Sequence, residues 1–405
     1  MPSAATPPPT ARRPNGRLRS LLREAGWSGQ DLATAVNRAA EGTGLVRRYD
    51  RTTVAHWLSG SRPADPVPRL VAEVLTGALG RQVTVADTAL SARGAPAAPG
   101  TPLPSTVSPA RHRIGPEHVR AAESVLESML TAVVRTGGDG VREALTGYLS
   151  TTVLPWLRVP AAPRVHHALL TAASRLAELT GFSCFDGHLH EPARGYYRTA
   201  LALGREAGDP QCRALALRAL SVQAHHLGRP SRALEYAESA AGEIPRLPDR
   251  EGGWVAGQFA VAAAGCGDRS TALGQLSRAR LLLDRATAAA GRPLASHAAA
   301  LGRQEAELLC ALGDRTGAIR ALAGSVRERP PAEQLALAVT RARLAELQLD
   351  HGHLERACDT WQRLLDEAAA LASARLDAAR HRMRSRLLPH RRHPAAAALL
   401  ARTAP

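Results

Sequence analysis

The chain has no lysine: all 52 of its basic residues are arginine, as a GC-rich coding sequence would favour. Aromatic residues are scarce as well, at 3% of 405, although 45% of the sequence is apolar. The apolar content is therefore mostly alanine, leucine and valine, and the first two are strong helix formers. An all-helical fold is expected. No apolar run approaches the ~18 residues of a membrane span. The first nine residues lack the charged-then-apolar pattern of a secretory signal. Five scattered cysteines (Cys184, Cys212, Cys266, Cys310 and Cys358) form no CxxC pair and are odd in number. That fits reduced thiols in a cytoplasm better than a disulfide framework. Absent too are a P-loop, a Rossmann glycine fingerprint and GxSxG, so neither catalysis nor a cofactor is expected.

What is present is a net charge of +16, unevenly placed. Residues 1–90 carry 12 Arg against 7 acids, and residues 91–116 add 3 Arg and no acid. Residues 117–373 are balanced at 29 Arg to 28 acids, whereas residues 374–405 hold 8 Arg against Asp377 alone. Basic ends on a neutral body are the footprint of a polyanion partner, or else of two solvated tails.

Between a Pro-rich leader and residue 90, apolar spacing predicts helices over 17–25, 30–40, 51–58, 67–79 and 85–90. Ser28 and Asp50 are placed to cap the second and third, and Gly60 with Pro63 to end the third. Leu18, Leu21, Leu22, Leu32, Ala33, Val36, Val54 and Trp57 form the inward faces. This stretch resembles the Xre/lambda-repressor-like helix-turn-helix family through Ser28, Gln30, Leu32 and Ala33 in the second helix. In the third, the resemblance rests on Thr53, Val54, Trp57 and Gly60, with Arg62 and Pro63 beyond it. Residues 41–49 are longer than the family's turn, and Gly29 stands where the family places a phosphate-binding glutamine. The resemblance implies that the third helix enters the major groove, with Arg51, Thr52, Thr53 and His56 at base edges. Gln30, Arg47, Arg48, Arg62 and Arg17 would then contact phosphates.

Residues 91–113, rich in Pro, Ala, Gly and Ser, read as a flexible tether. Beyond them a pattern of a small residue, a bulky one four later and a small one three later recurs five times. It occurs at Ala193, Tyr197 and Ala200 and at Ala272, Leu276 and Ala279, and, with a small residue in the middle, at Ala233, Ala237 and Ala240. It returns at Ala318, Leu322 and Ser325 and, more loosely, at Ala357, Trp361 and Leu364. A glycine stands five residues before four of the five starts: Gly228, Gly267, Gly313 and Gly352. Such helical pairs stack into a solenoid with a concave groove. The pattern is similar to the tetratricopeptide repeat, at spacings of 39–46 residues against the usual ~34. With the landmarks Gly137, Gly138, Tyr148, Leu149, Phe185 and Asp186, the chain resembles actinobacterial regulators that join an Xre-like domain to such repeats.

The expected architecture is thus all-α: an N-terminal helix-turn-helix bundle followed by a tetratricopeptide-like α-solenoid. Its divisions are a leader (1–14), the DNA-binding domain (15–90), the linker (91–113), the repeats (114–388) and a basic tail (389–405). The resemblance implies a cytoplasmic, nucleoid-associated transcriptional regulator of development or secondary metabolism. It would act on DNA as a homodimer, with no membrane contact, and bind a peptide, small ligand or protein in its groove. The other reading is a protein-interaction scaffold whose N-terminal bundle does not bind DNA. In register, Arg218, His225, His226, Gln258, Arg303, Gln304, Glu307 and Arg343 fall on first helices near the groove. They would clamp an anion or form helix-surface ion pairs. The histidines at 166, 167, 188, 190, 351 and 353, with Cys184 and Asp186, lack the spacing of a zinc site, and no metal is expected.

Overall fold

The computed structural model describes residues 14–40, 49–63, 67–79, 83–90, 113–291, 294–368 and 370–403. Arg47, Arg48, most of the predicted leader and nearly all of the predicted linker lie outside them. The described residues are all-α, without a strand, and carry one isolated bridge between Ile114 and Ala161. No helix among them is long and apolar enough to cross a membrane. The chain divides into two compact units, Met1–Ser108 and Pro109–Pro405.

The first unit contains α1 (Gly16–Glu24), α2 (Gly29–Ala40), α3 (Arg51–Leu58), α4 (Val67–Leu79) and α5 (Val85–Thr88). Its ends are set by side-chain caps. Ser28 and Asp31 satisfy each other's backbone N–H at the start of α2. The Asp50 carboxylate accepts from the Thr53 backbone at 2.8 Å and from its hydroxyl at 2.7 Å, fixing the start of α3. Asn37 then grips Tyr49 through both backbone groups, at 2.7 and 2.8 Å, and so ties α2 to the entry of α3. Buried Asn15 caps α1 and donates to the Thr88 carbonyl at 2.8 Å, closing the unit end to end. The core is Leu18, Leu22, Leu32, Val36, Val54, Trp57, Val71 and Leu75, with smaller neighbours. Trp57 is a packing residue, with Tyr49 tilted against it at 5.5 Å.

The second unit opens with α6 (Pro116–Thr136), α7 (Arg142–Tyr148), a π-helical turn at Leu149–Val153 and α8 (Leu154–Trp156). Five helical hairpins follow: α9 (Pro163–Asp186) with α10 (His190–Glu206), and α11 (Pro210–His226) with α12 (Pro230–Ala241). Next come α13 (Asp249–Gly265) with α14 (Arg269–Ala290), α15 (Ala295–Ala311) with α16 (Arg315–Glu328), and α17 (Gln334–Asp350) with α18 (Leu354–Glu367). Every small-bulky-small residue read from the sequence lies buried on the second helix of its pair. Small residues let the two helices approach closely, and three pairs are stapled across the contact by a serine. Ser174 donates to the Ala200 carbonyl, Ser221 to Ala233 and Ser325 to Ala299, at 2.6–2.8 Å.

The chain ends in α19 (Ala374–Leu387) and α20 (Pro394–Arg402). The segment expected as a basic tail is therefore largely helical, because Ala396 and Leu399 are buried in the unit's core. Arg391 and Arg392 are exposed, whereas Arg402 and two arginines of α19 pair with acids of the preceding helices. Arg402 pairs with Asp366 at 2.6 Å, Arg382 with Glu346 at 2.9 Å, and Arg386 with Asp350.

The stretch between α18 and α19 also returns to the start of the unit. The Ala372 N–H donates to the Thr136 carbonyl at 2.8 Å, and the Ala372 carbonyl accepts from Asp139. Fully buried Asp186 gathers the rest. It accepts from the Ser373 hydroxyl and Arg375 Nε at 2.8 Å, and from the Gly138 N–H at 2.9 Å. Glycine is required at 137: its φ is +94°, and a Cβ there would sit 2.2 Å from the Ala372 oxygen. This clasp explains the Gly-Gly landmark in the sequence.

Candidate functional site

The clasp brings α19 against the first helices of the hairpins, and between them lies an open cavity of about 530 Å³. Phe185, Val222, Val339 and Leu376 supply apolar wall, and the polar lining is dominated by Arg303, Arg343, Arg375 and Arg382. Glu307 and Glu346 are the acids among the lining residues, so guanidiniums outnumber carboxylates four to two. Three of the four arginines have partners. Arg375 lies 2.7 Å from Asp186 and packs on the Phe185 ring, and Arg382 is paired with Glu346. Arg343 is shared between Glu307 at 3.4 Å and Glu346 at 3.7 Å. Burial opposes the Arg343 charge, but Glu307, Cys310 and Glu346 together hold its pKa above the ordinary value.

Arg303 differs from them. Among the described residues it makes no ion pair and no hydrogen bond. Burial, reinforced by the charges of Arg218, Arg375 and Arg329 against Glu307, lowers its pKa to about 10, so it stays charged at neutral pH. A partly desolvated guanidinium without a counter-ion is costly unless something supplies one. A carboxylate or phosphate in the cavity could pair with Arg303, in a space large enough for a small molecule or a short peptide end.

Of the residues expected at the groove, His225, His226, Arg303, Glu307 and Arg343 meet in this cavity. The other three are absent from its lining. Arg218 lies over the Trp254 ring at 5.4 Å and donates to the Trp254 carbonyl at 3.4 Å. Gln304 donates to that same carbonyl at 3.2 Å, and Gln258 donates to Ser221 at 3.1 Å. His188, Glu346, Arg375 and Arg382 were missed from the cavity by sequence register. The excess of arginine after residue 374 was the one signal for the last two.

Burial lowers the pKa of His225, and burial followed by the Arg375 charge pushes His226 down to about 4. His190, His188 and Arg382 also face His226 and oppose its protonation. The unfolded chain therefore binds more protons than the folded one between pH 6.5 and 4. Stability is full above pH 6.5 and declines as pH falls through that window. The urea midpoint is expected to drop over it, and to drop less in His226→Gln; equal slopes would reject this assignment.

In the first unit, α3 exposes Arg51, Thr52 and His56 opposite buried Val54 and Trp57, and Arg62 is exposed just beyond its end. Thr53 is half-buried, and its hydroxyl donates to Asp50 as part of the cap. Gln30 and Arg17 are exposed on α2 and α1. Residues 18–91 match the family model described as the SP15 N-terminal domain. No curated protein matches the chain.

Proposed function

We propose that this chain is a sequence-specific DNA-binding transcriptional regulator whose C-terminal unit senses an anionic ligand. In this reading the first unit is an Xre-like helix-turn-helix reader and the second a tetratricopeptide-like solenoid. The observation that carries the reading is the geometry of α3. Its buried face is a tryptophan and a valine, while Arg51, Thr52 and His56 stand in the open at and after a capped N-terminus. A helix so anchored can lie in a major groove with its first residues at base edges. Arg62, Arg17 and Gln30 supply the phosphate-facing set that fixes register. The partly unpaired, arginine-rich cavity gives the second unit a reason to bind an anion, such as the carboxylate end of a peptide or a small acid. Control of development or secondary metabolism follows from the resemblance to actinobacterial regulators, and a homodimer on paired half-sites from the same analogy.

Selection of genomic fragments by the purified full-length protein tests the reading and names the targets. Binding is expected to be sequence-selective and to weaken as salt rises. Arg51→Ala should lose about 1–3 kcal/mol of discrimination at one base position, since arginine reads guanine through two hydrogen bonds. If the protein enriches no sequence at moderate salt, the first unit is a protein-binding bundle and the scaffold reading stands.

A further inference from the structure

Four of the five hairpins in the second unit turn on a glycine in the left-handed conformation. Gly228, Gly267, Gly313 and Gly352 have φ between +66° and +85°. In each, the turn residue donates to the carbonyl three residues back, and the next residue to the carbonyl five back. The first hairpin makes the same pair of bonds, from His188 to Phe185 and from Leu189 to Cys184. Its left-handed residue is His188, at φ +57° and five residues before Ala193, the offset at which the others have glycine. A side chain with a Cβ is strained there, and strain held at one turn out of five points to what the side chain does.

His188 does not stand alone. Across the turn is His190, whose carbonyl accepts from Gln223 of α11 at 2.7 Å, and α11 ends in His226. One ring nitrogen from each of the three histidines lies within 4.8 Å of the other two. The rings are 5.5, 5.6 and 6.3 Å apart between centroids, set edge-on or tilted rather than stacked. Nε2 of His188 and Nδ1 of His190 are buried without any hydrogen-bond partner. Phe185 packs its ring against both His190 and His226.

We propose that His188, His190 and His226 form a binding site for a divalent ion of the zinc class. Three imidazoles from two elements are the donor set of an open zinc site, in which a fourth position is left to water or a ligand. At zinc–nitrogen distances of about 2.0–2.1 Å the nitrogens must draw together to a little over 3 Å, an adjustment within reach of ring rotation. The neighbouring cations do not forbid the ion, because Arg375 is matched by Asp186 and Arg382 by Glu346. His188 and His226 also line the arginine-rich cavity, so the site borders it. An anion held there would complete the coordination. The site itself stands independently of whether the first unit binds DNA.

The test uses full-length protein without a histidine tag, stripped with a chelator and titrated with Zn²⁺ and, for its visible spectrum, with Co²⁺. One ion per chain is expected, with the intense d–d absorption of a four-coordinate cobalt site. His188→Gly is the decisive variant, because glycine suits the left-handed turn and should leave the metal-free protein at least as stable. It is expected to weaken zinc binding by more than about a hundredfold, beyond what loss of a mere supporting partner costs. His226→Gln should behave alike. His351→Gln with His353→Gln, which removes an exposed pair outside the cluster, should bind as the parent does. Failure of the parent protein to bind one ion, or equal affinity in His188→Gly, would overturn the assignment.

Discussion

Asp186→Asn is expected to destabilise the second unit by about 3–5 kcal/mol, the usual result of removing one member of a buried ion pair. The change keeps the shape of the side chain and removes the charge that Arg375, Ser373 and the Gly138 N–H converge on. An asparagine also has only one acceptor oxygen, so at least one of those donors loses its partner. Urea unfolding of the full chain measures the effect in the transition of the second unit. Asp377→Asn is the matched control, since its bond to Arg380 is exposed and of ordinary length, 2.8 Å, and should contribute less than about 1 kcal/mol. If the two variants unfold alike, Asp186 is not what holds the ends of the unit together.

Arg303→Ala should act differently on the empty and the occupied protein. Arg303 makes no ion pair among the described residues and is partly desolvated, so its removal is expected to leave the empty protein about as stable as before. Binding of an anion should weaken by about 2–5 kcal/mol, the range for truncating one partner of a buried charge pair. Thermal shifts with phosphate, citrate and peptides bearing free or amidated C-termini provide the readout. The parent is expected to be stabilised by some of the anions and by free carboxylates over amides, and Arg303→Ala by neither. A variant that retains the full shift would place the anion elsewhere. An arginine that mainly braces the fold would instead lower the melting temperature when truncated, with or without ligand.

What the sequence made legible follows from how local each determinant is. The bounds of α3 and α4 match the spacing because Asp50 and the apolar positions act within a turn or two. The five second helices were found because close helix contact demands alanine or serine at fixed intervals, a constraint that leaves a visible period. The site was harder. His225, His226, Arg303, Glu307 and Arg343 were placed by register. Arg375 reaches Asp186 across 189 residues of chain, and no periodic rule reports such a contact. Arg218, Gln258 and Gln304 lie on first helices, as register put them, but outside the lining of the cavity. Register puts a residue on a face, but hydrogen bonds to Trp254 and Ser221 decide where the side chain ends. Thr53, expected at a base edge, also takes part in the cap of α3, which the Asp50 to Thr53 spacing already offered. The missing glycine of the first hairpin was also visible in the sequence, at the one position of five where histidine takes its place.

The meeting of Ala372 with Gly137 has a bearing on how such a unit can evolve. An open stack of hairpins is extended or shortened by whole repeats at little cost, because each repeat touches only its neighbours. Here the last segment must arrive within hydrogen-bond reach of the first, so the hairpin number is fixed, as the sides of a polygon fix its closure. Duplicating or deleting one hairpin would leave Asp186 and Ser373 on halves of a latch that no longer face each other. Variation in this protein is therefore directed to side chains lining the cavity and away from repeat number. A change in the cavity wall is the easier inheritance; a change of length is not.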